Sequence, residues 1–162
     1  MPNDVTFTHV AAGRSHSLAL DTNGNAWAWG WDHKGQLGGG DPDGYQTTPA
    51  QVAMPGDVTF TSIAVGRNHS FALDTDGNAW AWGWDYKGKL GDGGADTDRP
   101  TPVPVTMPND VTFAILTGGY AHSLALDADG TAWAWGGGYV GQLGNGAFHL
   151  GDRSTPGQVS MP

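Results

Sequence analysis

The sequence has 162 residues, a net charge of −9 with only 7 Lys and Arg, and no cysteine. The few, scattered basic residues argue against nucleic-acid binding, which needs a basic patch, and the absence of cysteine excludes disulfides and thiolate metal sites. No apolar run reaches the length of a membrane span and no signal peptide begins the sequence, so we expect a soluble chain whose compartment stays open.

Three copies of one unit account for the whole sequence. The segment Met-Pro-(Asn/Gly)-Asp-Val-Thr-Phe begins at Met1, Met54 and Met107, so the first two periods are 54 − 1 = 53 and 107 − 54 = 53 residues. The chain therefore divides into repeats 1–53, 54–106 and 107–160, and residues 161–162 look like the start of a further copy. A period near 50 with several strands per copy indicates propeller blades.

Each repeat opens with a predicted strand, over residues 5–12, 58–65 and 111–118, and a Gly turn then leads into a hairpin. The hairpins cover residues 16–31, 69–84 and 122–137. The dipeptides at their tips, Asn-Gly or Asp-Gly, are typical of a two-residue type I′ loop. This loop predicts a register in which Leu20 faces Trp27 and Leu18 faces Trp29. One face of each sheet would then be bulky and the other small, with the bulky face of one copy lying on the small face of the next.

A Gly-(Gln/Lys)-Leu-Gly element follows each hairpin. We expect its leucine, which is Leu37, Leu90 or Leu143, to plug the base of the blade. After a variable polar loop, a last short strand is expected near residues 50–52, 103–105 and 157–159, where its prolines suit an outer edge. The sequence thus predicts an all-β chain of β-propeller blades, each with four antiparallel strands, and almost no helix.

The order Gly-x-x-His-Ser-(Leu/Phe)-Ala-Leu, Asp-x-(Asn/Asp)-Gly, Ala-Trp-Ala-Trp-Gly and Gly-(Gln/Lys)-Leu-Gly resembles the regulator-of-chromosome-condensation repeat, in a bacterial-like form. The resemblance extends over essentially the whole chain. It implies a propeller, typically of seven blades, that acts as a docking surface. The eukaryotic namesake promotes nucleotide exchange on a small GTPase and binds chromatin, but this sequence is acidic and lacks a basic tail and a wedge insertion.

Three blades do not close a ring. A three-blade wedge would expose a different sheet face at each end, and two chains joined head to tail would give six blades. We therefore predict a homodimer that closes a six-bladed ring. The similarity of the copies also fits a fragment of a longer array or an engineered repeat protein that self-assembles.

Two features suggest metal sites but have simpler interpretations. The repeated His16, His69 and His122 would form a ring of imidazoles, yet a buried His-Ser pair beside a tight Gly turn explains them. The acidic turns around Asp21, Asp74 and Asp127 lack the Gly and Glu positions of an EF-hand loop, and hairpin turn chemistry accounts for them. No cofactor or metal is expected.

The tryptophans divide into a structural group and a less certain group. Trp29, Trp82 and Trp135 belong to the strand motif and are expected in the core. Trp31 and Trp84 follow that motif, and the third copy has Gly137 at the same position, so we place these two at the rim. They are the residues that a glycan-binding propeller would use.

The first functional hypothesis is a non-enzymatic scaffold that binds an unidentified protein partner. No nucleophile motif or converging acid–base group supports catalysis. The partner surface is expected where the copies differ, and Arg and aromatic residues are frequent interface anchors. The candidate residues are Arg14, Arg67 and Tyr120 before the His-Ser pair and His33, Tyr86 and Tyr139 after the Trp strand. The alternatives are a lectin-like propeller and, as the weakest, a guanine nucleotide exchange factor.

Overall fold

The computed structural model of the chain describes residues 4–42, 44–94, 96–146 and 151–161. These residues form three four-stranded antiparallel sheets, one per repeat, and in each sheet the strands lie side by side in chain order. Blade 1 contains β1 (Phe7–Ala12), β2 (His16–Asp21), β3 (Ala26–Trp31) and β4 (Tyr45–Gln51). Blade 2 contains β5 (Phe60–Val65), β6 (His69–Asp74), β7 (Ala79–Gly83) and β8 (Arg99–Pro104). Blade 3 contains β9 (Phe113–Gly118), β10 (His122–Asp127), β11 (Ala132–Gly136) and β12 (Arg153–Gln158).

The predicted all-β class and four-stranded blades are confirmed. The first strand of each blade begins two residues later than expected, and the last strand is longer and starts earlier. This last strand lies at the edge of its sheet, which explains how β8 accommodates three prolines. Within the described residues the helical structure is limited to one 3₁₀ turn, Tyr86–Gly88.

The hairpin loops differ from the prediction. Leu20 pairs with Ala26, and the amide of Asp21 donates to the carbonyl of Asn25 at 3.0 Å, so three residues, 22–24, form the loop. Gly24 has a φ of +78°, whereas Asn23 is not in the left-handed region, which excludes a type I′ turn. The physical reason is the Asp21 carboxylate, which accepts the amides of Asn23 and Asn25 at 2.8 and 2.9 Å and so stabilises the longer turn.

One extra loop residue shifts the register by one, and this changes which side chains share a face. Leu18 pairs with Ala28 and Ala19 pairs with Trp27. Leucines and tryptophans therefore lie on opposite faces, and the predicted division into a bulky and a small face is wrong. Each blade instead has one face of Leu or Phe with Ala, which we call the leucine face, and one face with the tryptophans, which we call the tryptophan face.

Neighbouring blades pack the leucine face of one on the tryptophan face of the next. In the first interface Leu18 and Leu20 share a buried cluster with Phe60 and Trp82 of blade 2. In the second interface Phe71 and Leu73 occupy the same positions against Phe113 and Trp135 of blade 3. The plug leucines Leu37, Leu90 and Leu143 are 4%, 0% and 1% exposed, as predicted. Each interface is therefore a continuous apolar core between two sheets.

A hydrogen-bonded relay crosses each interface beside this core. Ser70 Oγ donates to the carbonyl of Gln36 at 2.8 Å and lies 3.0 Å from His16 Nε2. Because the serine proton is directed to the carbonyl, the histidine must donate from Nε2. Burial lowers the pKa of His16 to about 4, which keeps the ring neutral at pH 7. At the second interface the same relay joins His69, Ser123 and the carbonyl of Lys89.

Candidate binding surface on the rim

A groove of about 740 Å³ opens between blades 1 and 2 on one rim of the blade array. We call it the rim groove. Three cationic and three aromatic side chains dominate its lining: Arg14, Lys34, Arg67, Trp31, Tyr45 and Trp84. The remaining described residues of the lining are Ser, Gly, Gln, Thr and Asn, and none is acidic.

The strand ends position the groove tryptophans. The amide of Trp31 donates to the carbonyl of Ser15 at 2.8 Å, and the amide of Trp84 donates to the carbonyl of Asn68 at 2.9 Å. Each tryptophan is thereby held beside the loop that carries Arg14 or Arg67. Gly30 precedes Trp31 with a φ of +108°, and a Cβ there would lie 2.5 Å from the Ser15 carbonyl oxygen. Only glycine permits this close approach.

The six predicted partner residues form one continuous surface around the groove. His33 contacts Trp31 at a ring distance of 5.4 Å, and Tyr86 stacks on Trp84 at 5.0 Å. The Arg67 guanidinium lies 4.0 Å from the centre of the Tyr120 ring. Lys87 Nζ lies 5.5 Å from the ring centres of both Tyr86 and Tyr139. Arg14 and Arg67 line the groove itself, and His33, Tyr86 and Tyr120 each contact a lining residue. Tyr139 lies further away and is connected to the groove through Lys87 and Tyr86.

Basic residues are concentrated on this rim. Lys89 is fully buried, its Nζ lies 4.1 Å from the Trp84 ring centre, and it donates to the carbonyl of Tyr120 at 3.3 Å. Burial lowers the pKa of Lys89 to about 8. Together with the cations already named, five of the 7 basic residues in the sequence lie here: Arg14, Lys34, Arg67, Lys87 and Lys89.

The sequence interpretation missed four members of this surface: Tyr45, Lys34, Lys87 and Lys89. Lys34 and Lys87 directly follow His33 and Tyr86, so their position in the repeat was a usable signal. Lys89 replaces the Gln of the other two copies at the same position, which was a second signal. Tyr45 begins β4 but falls in the segment that the sequence predicts as a variable loop, and nothing in the repeat pattern marks it as part of the surface.

The candidate metal residues have other roles. Within the described part of the chain no three His, Asp, Glu or Cys side chains come close enough together to bind a metal ion. His16 and His69 take part in the interblade relays, and His122 is the equivalent residue at the open end of the array. The Asp21 and Asp74 carboxylates accept hydrogen bonds from their own loops and from the indoles of Trp27 and Trp80, at 2.9 and 3.0 Å. Nor does any helix in the described residues have the length and apolarity to cross a membrane.

The two outer faces of the array are less buried than the same positions inside it. Leu20 and Leu73 are 3% and 4% exposed, but Leu126, at the same position in blade 3, is 37% exposed. On the tryptophan side, Leu116 of blade 3 is 9% exposed, whereas the corresponding Val10 of blade 1 is 75% exposed. The tryptophan face of blade 1 and the leucine face of blade 3 are therefore open.

Comparisons with known proteins identify the repeat. The regulator of chromosome condensation (RCC1) repeat family matches residues 23–73 and 76–126, and a second form of the same repeat matches residues 7–36, 60–89 and 114–142. The chain is 33% identical over 153 residues to the human probable E3 ubiquitin-protein ligase HERC6 and 34% identical over 153 residues to the ultraviolet-B receptor UVR8 of Arabidopsis thaliana. In both cases the match covers 94% of the chain, but only 14% and 34% of the relatives.

Solved structures give the same result. Yeast RCC1 (Prp20), determined with Kap60 bound, superposes with a TM-score of 0.83 at 29% identity over 96% of the chain and 37% of its own. Human WBSCR16 superposes with a TM-score of 0.85 at 23% identity over 99% of the chain and 41% of its own, which shows the fold. The chain thus spans about two fifths of the length of these structures. The chain belongs to the RCC1 repeat family, and its three sheets are three blades of the β-propeller that this family forms.

Proposed function

We propose that the chain is a non-enzymatic protein-interaction module and that the rim groove binds an acidic segment of its partner. The family itself supports the general class, since yeast RCC1 has been solved with Kap60 bound and the binding of Prp20p to Gsp1p and histones has been described. The specific site is argued from the groove of this chain.

The observation that carries the proposal is the charge of the groove. The chain has 16 acidic residues and a net charge of −9, yet the described lining of the groove has three cations and no carboxylate. Lys34 already pairs with Asp98 at 3.2 Å. Arg14 and Arg67 form no ion pair with any described carboxylate, and Arg67 Nε is buried without a hydrogen-bond partner. These two guanidinium groups are therefore available to bind carboxylates in a bidentate manner.

The aromatic side chains define the rest of the partner. Trp31 and Trp84 are half-buried and line the groove between the two arginines. An apolar side chain flanked by Asp or Glu would lie on these rings while its neighbours reach the guanidinium groups. A short acidic segment fits better than a polyanion such as nucleic acid, because the remaining surface of the chain is negative and repels a long one.

The test is a selection from a phage-displayed library of random peptides. The wild-type chain is panned beside the Arg14→Gln/Arg67→Gln variant. Arg99→Gln/Arg153→Gln serves as the control, because it removes the same charge from the two basic residues that are not part of the rim surface. We expect peptides with Asp or Glu around an apolar residue, and we expect them to lose at least tenfold in affinity on the groove variant and little on the control.

Each other outcome rejects a defined part of the proposal. Groove-dependent peptides without acidic residues would reject the acidic partner but keep the groove as a protein-binding site. If no peptide depended on the two arginines, the groove would not be the site. A glycan array provides the remaining check, since a glycan that requires Trp31 and Trp84 would support the lectin-like alternative instead.

The second part of the proposal is self-association. The three blades leave one open face of each kind, and these are the two faces that pack together inside the chain. We propose that two copies pair head to tail as a homodimer and so close a six-bladed ring.

A further inference from the structure

We propose that the contact between two copies is encoded at specific positions, with Tyr45 of one copy packing on Val140 of the other where the internal interfaces have a Lys–Asp ion pair. This inference rests on the proposed self-association and names the residues that make it. The interfaces within the chain supply the template for the contact.

Among the described residues, each internal interface has one ion pair at its outer end. Lys34 of blade 1 lies 3.2 Å from Asp98 of blade 2, and Lys87 of blade 2 lies 3.3 Å from Asp152 of blade 3. The lysine follows the third strand of one blade, and the aspartate directly precedes the fourth strand of the next blade.

The strand register identifies the corresponding residues at the open ends. The fourth strands pair with the third strands through Gly30–Gln46, Gly83–Arg99 and Gly136–Arg153. The residues just before these partners are therefore equivalent, and they are Tyr45, Asp98 and Asp152. Lys34, Lys87 and Val140 are equivalent because they are 53 residues apart. In both halves of the ion pair, the open end has an uncharged residue where the interior has a charged one.

Both members of the ion pair are replaced by exposed apolar residues at the two open ends. Tyr45 is 70% exposed and Val140 is 67% exposed, and both are among the most exposed large apolar residues of the described chain. A Lys on one open end and a Tyr on the other would leave a cation without its partner. The pair Val140 and Tyr45 avoids this mismatch, because each can bury apolar surface against the other.

The leucine face of blade 3 has a vacant site for a tryptophan. A groove of about 390 Å³ is lined there by Leu124, Leu126, Leu143 and Val159, among others. At the internal interfaces the corresponding leucine faces receive Trp82 and Trp135, which are fully buried. Trp29 is the equivalent residue on the open face of blade 1, and it is only half-buried. Trp29 of a second copy would fill this groove.

The interblade relay also has its two halves at the open ends. His122 and the carbonyl of Gln142 correspond to the relay groups of the preceding blades, but no serine of a following blade lies against them in the described residues. Ser17 is the equivalent of Ser70 and Ser123 and lies on the opposite end of the array. A head-to-tail contact brings Ser17 of one copy to His122 of the other, and a two-fold axis produces the contact twice.

The test is a charge-exchange cycle measured by size exclusion with light scattering and by sedimentation. The wild-type chain of 16.9 kDa is expected at about twice that mass. Val140→Lys and Tyr45→Asp should each raise the dimer dissociation constant by about tenfold or more, since every substitution occurs twice in the dimer. The double variant recreates the internal Lys–Asp pair and should recover most of the affinity. Tyr86→Asp, an exposed rim residue away from both open faces, is the control.

The outcomes separate this contact from the wider proposal. A dimer that is weakened by neither single variant would place self-association on another surface and would overturn the inference alone. A dimer weakened by both but not restored in the double variant would also overturn the proposed pairing. A wild-type monomer at all concentrations would reject self-association itself, while the peptide selection on the rim groove would still stand as an independent test.

Discussion

The Ser70→Ala substitution tests how much the interblade relay contributes to stability. Ser70 Oγ is the shared partner of His16 Nε2 and the Gln36 carbonyl, and the serine and both relay residues are buried. The substitution removes one oxygen and leaves both groups without it. Ser17→Ala removes the same atom at the open face of blade 1, where no preceding blade in the described chain brings a histidine and a carbonyl to the serine, and is the matched control.

The structure sets the expected magnitude. A buried polar group that loses its partner costs about 1–3 kcal/mol, so two groups give roughly 2–6 kcal/mol at most. The buried Trp82 Nε1 has no hydrogen-bond partner among the described residues. It can donate to the Gln36 carbonyl, as Trp135 Nε1 donates to the equivalent Lys89 carbonyl at 2.9 Å. This replacement hydrogen bond reduces the expected decrease in the free energy of unfolding for Ser70→Ala to roughly 2–3 kcal/mol.

The equivalent substitution in blade 3 should cost less. Ser123→Ala leaves the Lys89 carbonyl with its bond from Trp135, so only His69 loses a partner and the expected loss is about 1–2 kcal/mol. Ser17→Ala should stay within about 0.5 kcal/mol.

Urea unfolding at protein concentrations where the chain is monomeric measures this series. The slope with denaturant should stay constant while the midpoint moves in the order Ser70, Ser123, Ser17. If Ser17→Ala destabilised the monomer as much as Ser70→Ala, the serine would act within its own blade and the relay would carry no interface energy.

Three further predictions concern the blade core and the pH dependence. Gly91→Ala should destabilise the chain more than Gly130→Ala. Alanine at either position costs about 1–2 kcal/mol because both glycines have positive φ, but a Cβ at Gly91 would also lie 2.6 Å from Trp135 Nε1, whereas Gly130 faces open space. Equal midpoints in thermal unfolding would contradict this prediction. Burial alone would raise the pKa of Asp74, but its hydrogen bonds outweigh it and hold the pKa below 3.8. Stability from this group is present above about pH 4 and lost as the pH falls through the folded pKa, so Asp74→Asn should flatten the acid side of a stability–pH curve. Burial raises the pKa of Asp85 to about 6; stability therefore falls as the pH rises from about 4 to 6, and Asp85→Asn should abolish that decrease in urea titrations.

The repeat pattern predicted the architecture well because strand order and blade number depend on hydrophobic alternation and turn positions. It predicted the hairpin register wrongly. The sequence is compatible both with a two-residue Asn-Gly loop and with a longer loop. The Asp21 carboxylate stabilises the longer loop, because it accepts hydrogen bonds from the backbone amides of Asn23 and Asn25. The tight turn and the longer one differ by hydrogen bonds that no residue pattern displays.

The rim surface was predicted in part. Arg14 and Arg67 were identified because the repeats differ at these positions, but their place beside Trp31 and Trp84 depends on strand ends meeting loops across the sheet. The repeat period aligns Tyr45 with Asp98, since 98 − 45 = 53, but Asp152 lies 54 residues after Asp98 and is aligned only by the strand register. The importance of the position was hidden, because the Lys–Asp pairs join different blades and no residue spacing displays them.

In the part of the chain that the structure describes, every sheet is built from the strands of one repeat, with no strand contributed by a neighbouring repeat. The seam of a ring made from such blades has no backbone ladder holding it shut, so opening it needs no unthreading or unravelling of a sheet. Whole repeats can accordingly be gained or lost as genetic units without rewiring any blade. A ring closed between chains in this way would exchange subunits, and the chemistry of its end faces would determine how many blades it contains.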